Sequence, residues 1–253
     1  MSSIAIASIV FACLLSSVLL GHCLRGMLPD HHLSRESKDV VNLAMGLIAT
    51  MAALVLGLLT ASAKGSFDVE NSGIHQSASN VIQADRVLAR YGPETKEIRE
   101  QIRRVLALRI HQTWPEDYLI PKELDTLEAA LPGEGIEDAI RKLSPQTEVQ
   151  RELQSRALQI TRDLQGTRWL MIVQALNPMP TAFLVVLGFW LCILFAGFGL
   201  FAPRNATVIM TLVLSAGAVS SSIFLILEMN RPFDGLIKLS SEPLRYALSQ
   251  LGQ

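Results

Sequence analysis

Glu228, Asn230, Arg231 and Asp234 are the polar side chains that close a long uncharged run, residues 205–227. Glu228 and Arg231 stand three apart, so on a helix they share a face and can pair where water is scarce. Such a group either anchors a helix at a membrane surface or marks the mouth of an ion path. Upstream, Ser215, Ser220, Ser221 and Ser222 lie among alanines and a glycine. Their hydroxyls can bond across helices, or replace part of an ion's hydration shell in a pore. A second stripe, Ala49, Ala53, Gly57 and Ala61, recurs every four residues and makes one face of small side chains. In lipid, that face suits close helix packing, with pore lining as the sharper alternative.

Chemistry of other kinds finds no support in the sequence. It has no glycine-rich phosphate loop, H-E-x-x-H, G-x-S-x-G or paired C-x-x-C. His31 and His32 beside Asp30 read as a solvated turn, and His75 and His111 have no companions at ligand spacing. Cys13, Cys23 and Cys192 fall in or beside apolar runs and read as small buried hydrophobes, not as a disulfide framework or zinc site. No enzyme activity, metal or cofactor is expected. A net charge of −1 gives no electrostatic case for nucleic acid.

The elements that must position these residues are membrane spans. Residues 169–203 and 205–227 each lack any charged side chain. A bilayer core is crossed by about 20 apolar residues, so runs of this kind are spans. Spans are expected at 4–24, 40–63, 181–202 and 206–228, with Arg204 and Asn205 in the turn between the last two. The first lacks a preceding Lys or Arg, so it reads as a retained span and not as a signal peptide.

Residues 64–168 differ in kind, with 15 Lys and Arg against 17 Asp and Glu. Apolar residues there recur at helical spacing. One stripe is Val81, Ala84, Leu88 and Tyr91; another is Ile98, Ile102, Val105 and Leu106. Val149, Leu153, Ala157, Ile160 and Leu164 approach a heptad seam. Gly92-Pro93 fits a helix end followed by the first position of the next helix. Ser144-Pro145 suggests an N-cap, and Glu100–Arg104 and Glu152–Arg156 are i,i+4 pairs. The stretch 131–135, LPGEG, reads as the clearest loop of the domain. Residues 169–180 extend the seam helix to the membrane surface, where Trp169 suits the headgroup level, with a short re-entrant piece as the alternative. Residues 236–253 suit an interfacial helix, with Leu244, Leu248 and Leu251 on one side.

The sequence thus predicts an all-α integral membrane protein. Four spans form two hairpins, with an all-helical extramembrane domain inserted between the second and third. The units are 1–63, 64–168, 169–235 and 236–253. Basic residues near span ends lean towards both termini and the helical domain being cytoplasmic, at a cell inner membrane.

Three stretches carry a family resemblance. The run 84–94, ADRVLARYGPE, has Asp85, Arg86, Tyr91, Gly92 and Pro93 at its motif positions. The others are 189–208, FWLCILFAGFGLFAPRNATV, and 224–248, FLILEMNRPFDGLIKLSSEPLRYAL. Together they resemble the bestrophin-like membrane proteins of bacteria and plants. The resemblance covers nearly the whole chain. It implies kinship with bestrophins, oligomeric anion channels with four spans per subunit and a cytoplasmic helical domain. A homo-oligomeric ring in the lipid bilayer, a pentamer by analogy, and inorganic anions as permeant species are what it implies here. The segment 40–63 carries no aromatic residue, so an aromatic neck of the bestrophin kind has no counterpart on it. No acidic cluster resembles a calcium site. The alternative is a non-conducting scaffold or sensor that recruits a partner through the seam 149–164.

Overall fold

A computed structural model describes residues 2–29, 34–115, 134–175, 181–203, 205–233 and 235–252. Among these, every regular element is helical: α1 (Ser3–Met27), α2 (Arg35–Tyr91), a 3-10 turn (Pro93–Thr95), α3 (Lys96–Thr113), α4 (Glu134–Arg141), α5 (Glu148–Ala175), α6 (Thr181–Phe201), α7 (Ala206–Met229) and α8 (Glu242–Gln250). The chain divides into two compact units, Met1–Phe67 with Pro178–Ile237, and Asp68–Asn177 with Lys238–Gln253. His31, His32, Asp30, Arg204, Asp234 and residues 131–133 of the expected loop lie outside the described residues.

In the first unit, α1, α6, α7 and the apolar part of α2 are each long and apolar enough to cross a membrane. Large apolar side chains nevertheless point outwards. Leu43 is 77 % exposed, Leu54 65 % and Leu214 68 %, a surface that hydrocarbon tolerates and water does not. The interior is built from Leu14, Met45, Leu59, Leu187, Phe195 and Ile226 with their neighbours. Cys13 and Cys23 are exposed and Cys192 is half-buried; all three are free. The expectation that they are buried fails for the first two, because each lies on an outward face of an apolar helix.

Helix α1 packs against α6 and α7. The approach to α6 is close because of glycine. A Cβ on Gly21 would meet the Ala196 carbonyl, and one on Gly199 would meet the Val18 carbonyl. The C-terminal carbonyls of α6, which have no partner within their own helix, are met by α1. Nδ1 of His22 lies 3.1 Å from the Gly199 oxygen, and Arg25 Nη1 donates to the Ala202 oxygen at 2.8 Å. A cation at this end also complements the helix dipole. At the other end of the hairpin turn, Asn205 Oδ1 accepts the Val208 N–H at 2.8 Å and caps α7.

In the second unit, α3 packs against α8 and α4, and α4 against α5. Val81, Ala84, Leu88 and Tyr91 are all buried, as are Ile98, Ile102 and Leu106; Val105 is half-buried. The seam on α5 is less continuous than its spacing suggests. Ala157 and Ile160 are buried, Leu153 and Leu164 half-buried, and Val149 is 65 % exposed. Two local expectations are corrected. Helix α5 starts at Glu148, and Thr147 Oγ1, not Ser144, accepts an N-terminal amide, that of Gln150 at 3.1 Å. Arg104 donates to the Glu100 carbonyl and Arg156 to Gln159, so neither expected i,i+4 carboxylate pair forms. The C-terminal segment uses its apolar side inside this unit: Ala247 and Leu251 are buried there, and Trp114 Nε1 donates to the Leu239 carbonyl at 2.8 Å.

Candidate functional site

The serines of α7 do not converge. Ser221 Oγ donates to the Gly217 carbonyl at 2.8 Å, and Ser222 Oγ to Ala218 at 3.1 Å. These bonds satisfy the hydroxyls within their own helix, the usual solution in an apolar medium. Ser215 is exposed. Ser220 alone is buried, and its hydroxyl has no partner among the described residues. One turn earlier, Gly217 lies near the Phe11 ring of α1. Residues 215–222 therefore spread around the helix and make no single polar patch within one subunit.

The small-residue stripe of α2 has the opposite character. Met45, Ala52, Leu59 and Ala63 form the buried line of the helix, whereas Ala53, Gly57 and Ala61 are exposed and Ala49 is half-buried. A Cβ built on Gly57 meets nothing within 4 Å. Ala49 still packs against the core of its unit, so among the described residues it is the Ala53–Gly57–Ala61 part of the stripe that is left uncovered.

At the end of α7, Glu228 is only 4 % exposed. Its Oε2 accepts the backbone N–H of Leu236, and that of Ile237 at 3.4 Å, while the side chain of Ser3 bonds to the same carboxylate. A Cβ on Gly235 would run into this carboxylate and displace it, so glycine lets the chain pass close while the carboxylate keeps its place. The backbone turns with it: Arg231 N–H bonds to the Glu228 carbonyl at 2.9 Å and Gly235 N–H to that of Arg231 at 3.1 Å. Asn230 Nδ2 donates to the Ile226 carbonyl at 2.8 Å. The Arg231 side chain is exposed and forms no ion pair with Glu228. The expected Glu228–Arg231 salt bridge is thus replaced by amide donors, which hold the carboxylate more rigidly than a flexible arginine. Glu228 fastens the exit loop to the start of α1, and Arg231 is left as the outward charge.

The motif around Asp85 forms a corner. Asp85, 2 % exposed, takes a bidentate pair from Arg99, Nε to Oδ1 at 2.7 Å and Nη2 to Oδ2 at 2.9 Å, and Gly252 N–H reaches Oδ2 at 3.3 Å. The Asp85 carboxylate holds the Arg99 guanidinium above its ordinary range. Helix α2 ends at Tyr91, and Gly92 adopts φ 145°, a region costly for residues with a Cβ. Pro93 then opens the 3-10 turn, and Thr95 Oγ1 lies 2.6 Å from the Leu88 carbonyl oxygen and 2.8 Å from that of Gly92. Gln150 Nε2 donates to the Tyr91 carbonyl at 3.1 Å. Arg86 is exposed and contributes nothing to the corner. Arg99, Thr95, Ser3, His22 and Arg25 are the partners that sequence spacing did not bring forward. Among the described residues, no three His, Cys, Asp or Glu side chains gather as metal ligands.

A family model described as Bestrophin-like domain matches residues 5–244. The chain belongs to the bestrophin-like family. Several solved structures share the bestrophin-like fold. One is a single-substitution variant of a bacterial bestrophin homologue from Klebsiella pneumoniae, 17 % identical, covering 96 % of this chain and 99 % of its own, with a TM-score of 0.65. A second variant of that homologue is 19 % identical, covering 97 % and 98 %, with a TM-score of 0.60. A structure described as a membrane protein variant is 16 % identical, covering 97 % and 100 %, with a TM-score of 0.65. No curated protein matches. Against this background, the Asp85 corner and the Glu228 staple read as supports of a bestrophin-like helical frame.

Proposed function

We propose that this bestrophin-like chain is one subunit of a homo-oligomeric ion channel with four membrane crossings, and that anions are its permeant species. The observation that carries the reading is the uncovered face of α2 at Ala53 and Gly57: small, uncharged and exposed, with nothing among the described residues within 4 Å of a Cβ built on Gly57. A ring of copies places such a face along an axis, where small side chains leave room for an ion. The preference for anions is supported at the exit of α7. There the Glu228 charge is buried among amide donors while Arg231 is exposed, so of these two described charges the accessible one is positive. The four apolar helices support the crossings. An even number puts both termini and residues 68–177 on one side, the cytoplasmic side of a cell inner membrane by the positive-inside lean.

Purified protein in planar bilayers tests the reading. Currents whose reversal potential follows the chloride gradient are expected. Silent bilayers from a folded, confirmed oligomer would remove the channel, and a reversal that follows the cation gradient would remove the anion preference. The scaffold alternative is not favoured, because the centre of its recruiting seam, Ala157 and Ile160, is buried inside the helical unit.

A further inference from the structure

Glu228 carries a charge that its surroundings keep out of sight. The backbone amides of Leu236 and Ile237 donate to its Oε2, and the Ser3 side chain bonds to the same carboxylate. Ser3 is itself only 3 % exposed and is the first residue of α1, which Ser2 caps by accepting the Ala5 N–H at 3.2 Å. The carboxylate thus lies at the N-terminal turn of a 25-residue helix, where orphan amides and the helix dipole favour an anion. None of these donors is a charged group. Arg231, three residues further on and exposed, keeps its own charge for the exit of α7.

This arrangement depends on space as well as on donors. A Cβ on Gly235 would overlap the Glu228 carboxylate and come within 3.1 Å of the Arg231 carbonyl oxygen. The carboxylate is the far end of a flexible side chain, so it is the part that yields. Once displaced it loses its amides, and a carboxylate without donors is too costly to keep buried. It moves out to the aqueous end of α7, where Arg231 stands three residues away. Pairing there would cancel the Arg231 charge.

We propose that Glu228, Ser3 and Gly235 form a latch that sets the sign of the exit. Closed, it hides the carboxylate and leaves Arg231 to draw anions; open, it releases the carboxylate beside Arg231 and removes the preference. The inference rests on the reading of the chain as an anion channel subunit. Glu228 and Ser3 are positioning residues, which act through Arg231 and not by touching the ion.

Two measurements separate the latch from the channel. In the detergent-solubilised full-length oligomer, a carbodiimide with an amine nucleophile labels accessible carboxylates, and mass spectrometry of the Glu228 peptide reads the extent. Glu228 should be protected in the wild type and labelled several-fold more in G235A, with S3A in between. In planar bilayers, G235A should lower the chloride-to-sodium permeability ratio several-fold. G235A/E228Q should restore it to within twofold of the wild type, because a released amide carries no charge; a general loss of structure gives no such recovery. S3A should shift the ratio in the same direction as G235A, and serves if G235A fails to assemble. Protection of Glu228 in both single variants overturns the latch, whether or not the protein conducts. A labelled Glu228 with an unchanged permeability ratio overturns its control of the exit, as does a loss that persists in G235A/E228Q. Silent wild-type bilayers overturn the anion-channel reading and the control of selectivity with it, while the labelling still decides whether the latch exists.

Discussion

Gly21 and Gly199 are positions where a single methyl group has nowhere to go, since each faces a backbone carbonyl of the opposing helix. Backbone cannot rotate away as a side chain can. Gly199→Ala should therefore destabilise by about 1–3 kcal/mol, the cost of overpacking a tight contact. Gly57→Ala, with open space around it, should be neutral or slightly stabilising through helix propensity. Thermal melts of the two variants side by side check this, and equal losses would refute the assignment of the α1–α6 contact. The Asp85 pair gives a second prediction. Asp85→Ala leaves Arg99 without its bidentate acceptor and should cost about 3 kcal/mol. Chemical unfolding measures it; a loss below that of an ordinary surface substitution would count against the corner. Gly92-Pro93 was legible in the sequence because the chemistry of a helix break is local. Gly21 with Gly199, and Asp85 with Gly252, were not, because nothing near one residue names a partner more than a hundred positions away.

Between elements, the α4–α5 contact depends on charge. Glu137 accepts Arg141 Nη2 at 2.6 Å and Arg162 Nε at 3.4 Å, and Gln165 approaches its other oxygen at 3.4 Å. The Arg141 hydrogen bond, helped by Arg162 and opposed by burial, holds the Glu137 carboxyl below its ordinary range. A carboxyl depressed in the folded state stabilises above its unfolded value, near 4.5, and the gain disappears as pH falls through the folded value. The wild type should therefore lose more stability than Glu137→Gln between pH 7 and pH 4. Matching losses in the two proteins would rule out this carboxylate as the source. Gln154 supports the same contact by donating to the carbonyls of Ile140 and Leu143 at 2.8 and 2.9 Å, closing the end of α4. Helix periodicity announced nearly all of these elements. The position after residue 63, where composition suggests a boundary, lies inside α2, which runs unbroken to Tyr91. Composition changes there, from apolar to charged, but no Pro or capping residue interrupts the backbone, and Gly65 alone is too weak a breaker.

For the whole molecule, the question is what lies against the faces that one subunit leaves open. On α2 these are two different surfaces. Leu43, Leu47, Leu54 and Leu58 are large and exposed, as lipid-facing or subunit-facing residues are; Ala53 and Gly57 lie about a third of a turn away and are small. A channel needs the small face on its axis, whereas a closed bundle has no such need. Gly57→Leu therefore separates the two cases. Leucine is a better helix former than glycine, and a Cβ at this position has open space around it, so the subunit should stay folded. If the face borders the ion path, four added carbons per subunit should cut single-channel conductance several-fold without lowering the melting temperature. Leu54→Ala, on the large-residue face, should leave conductance within twofold of wild type. Unchanged conductance in Gly57→Leu, with the oligomer intact, would move the path to another helix. A fall in both variants would point to a general loss of assembly and not to a lining residue.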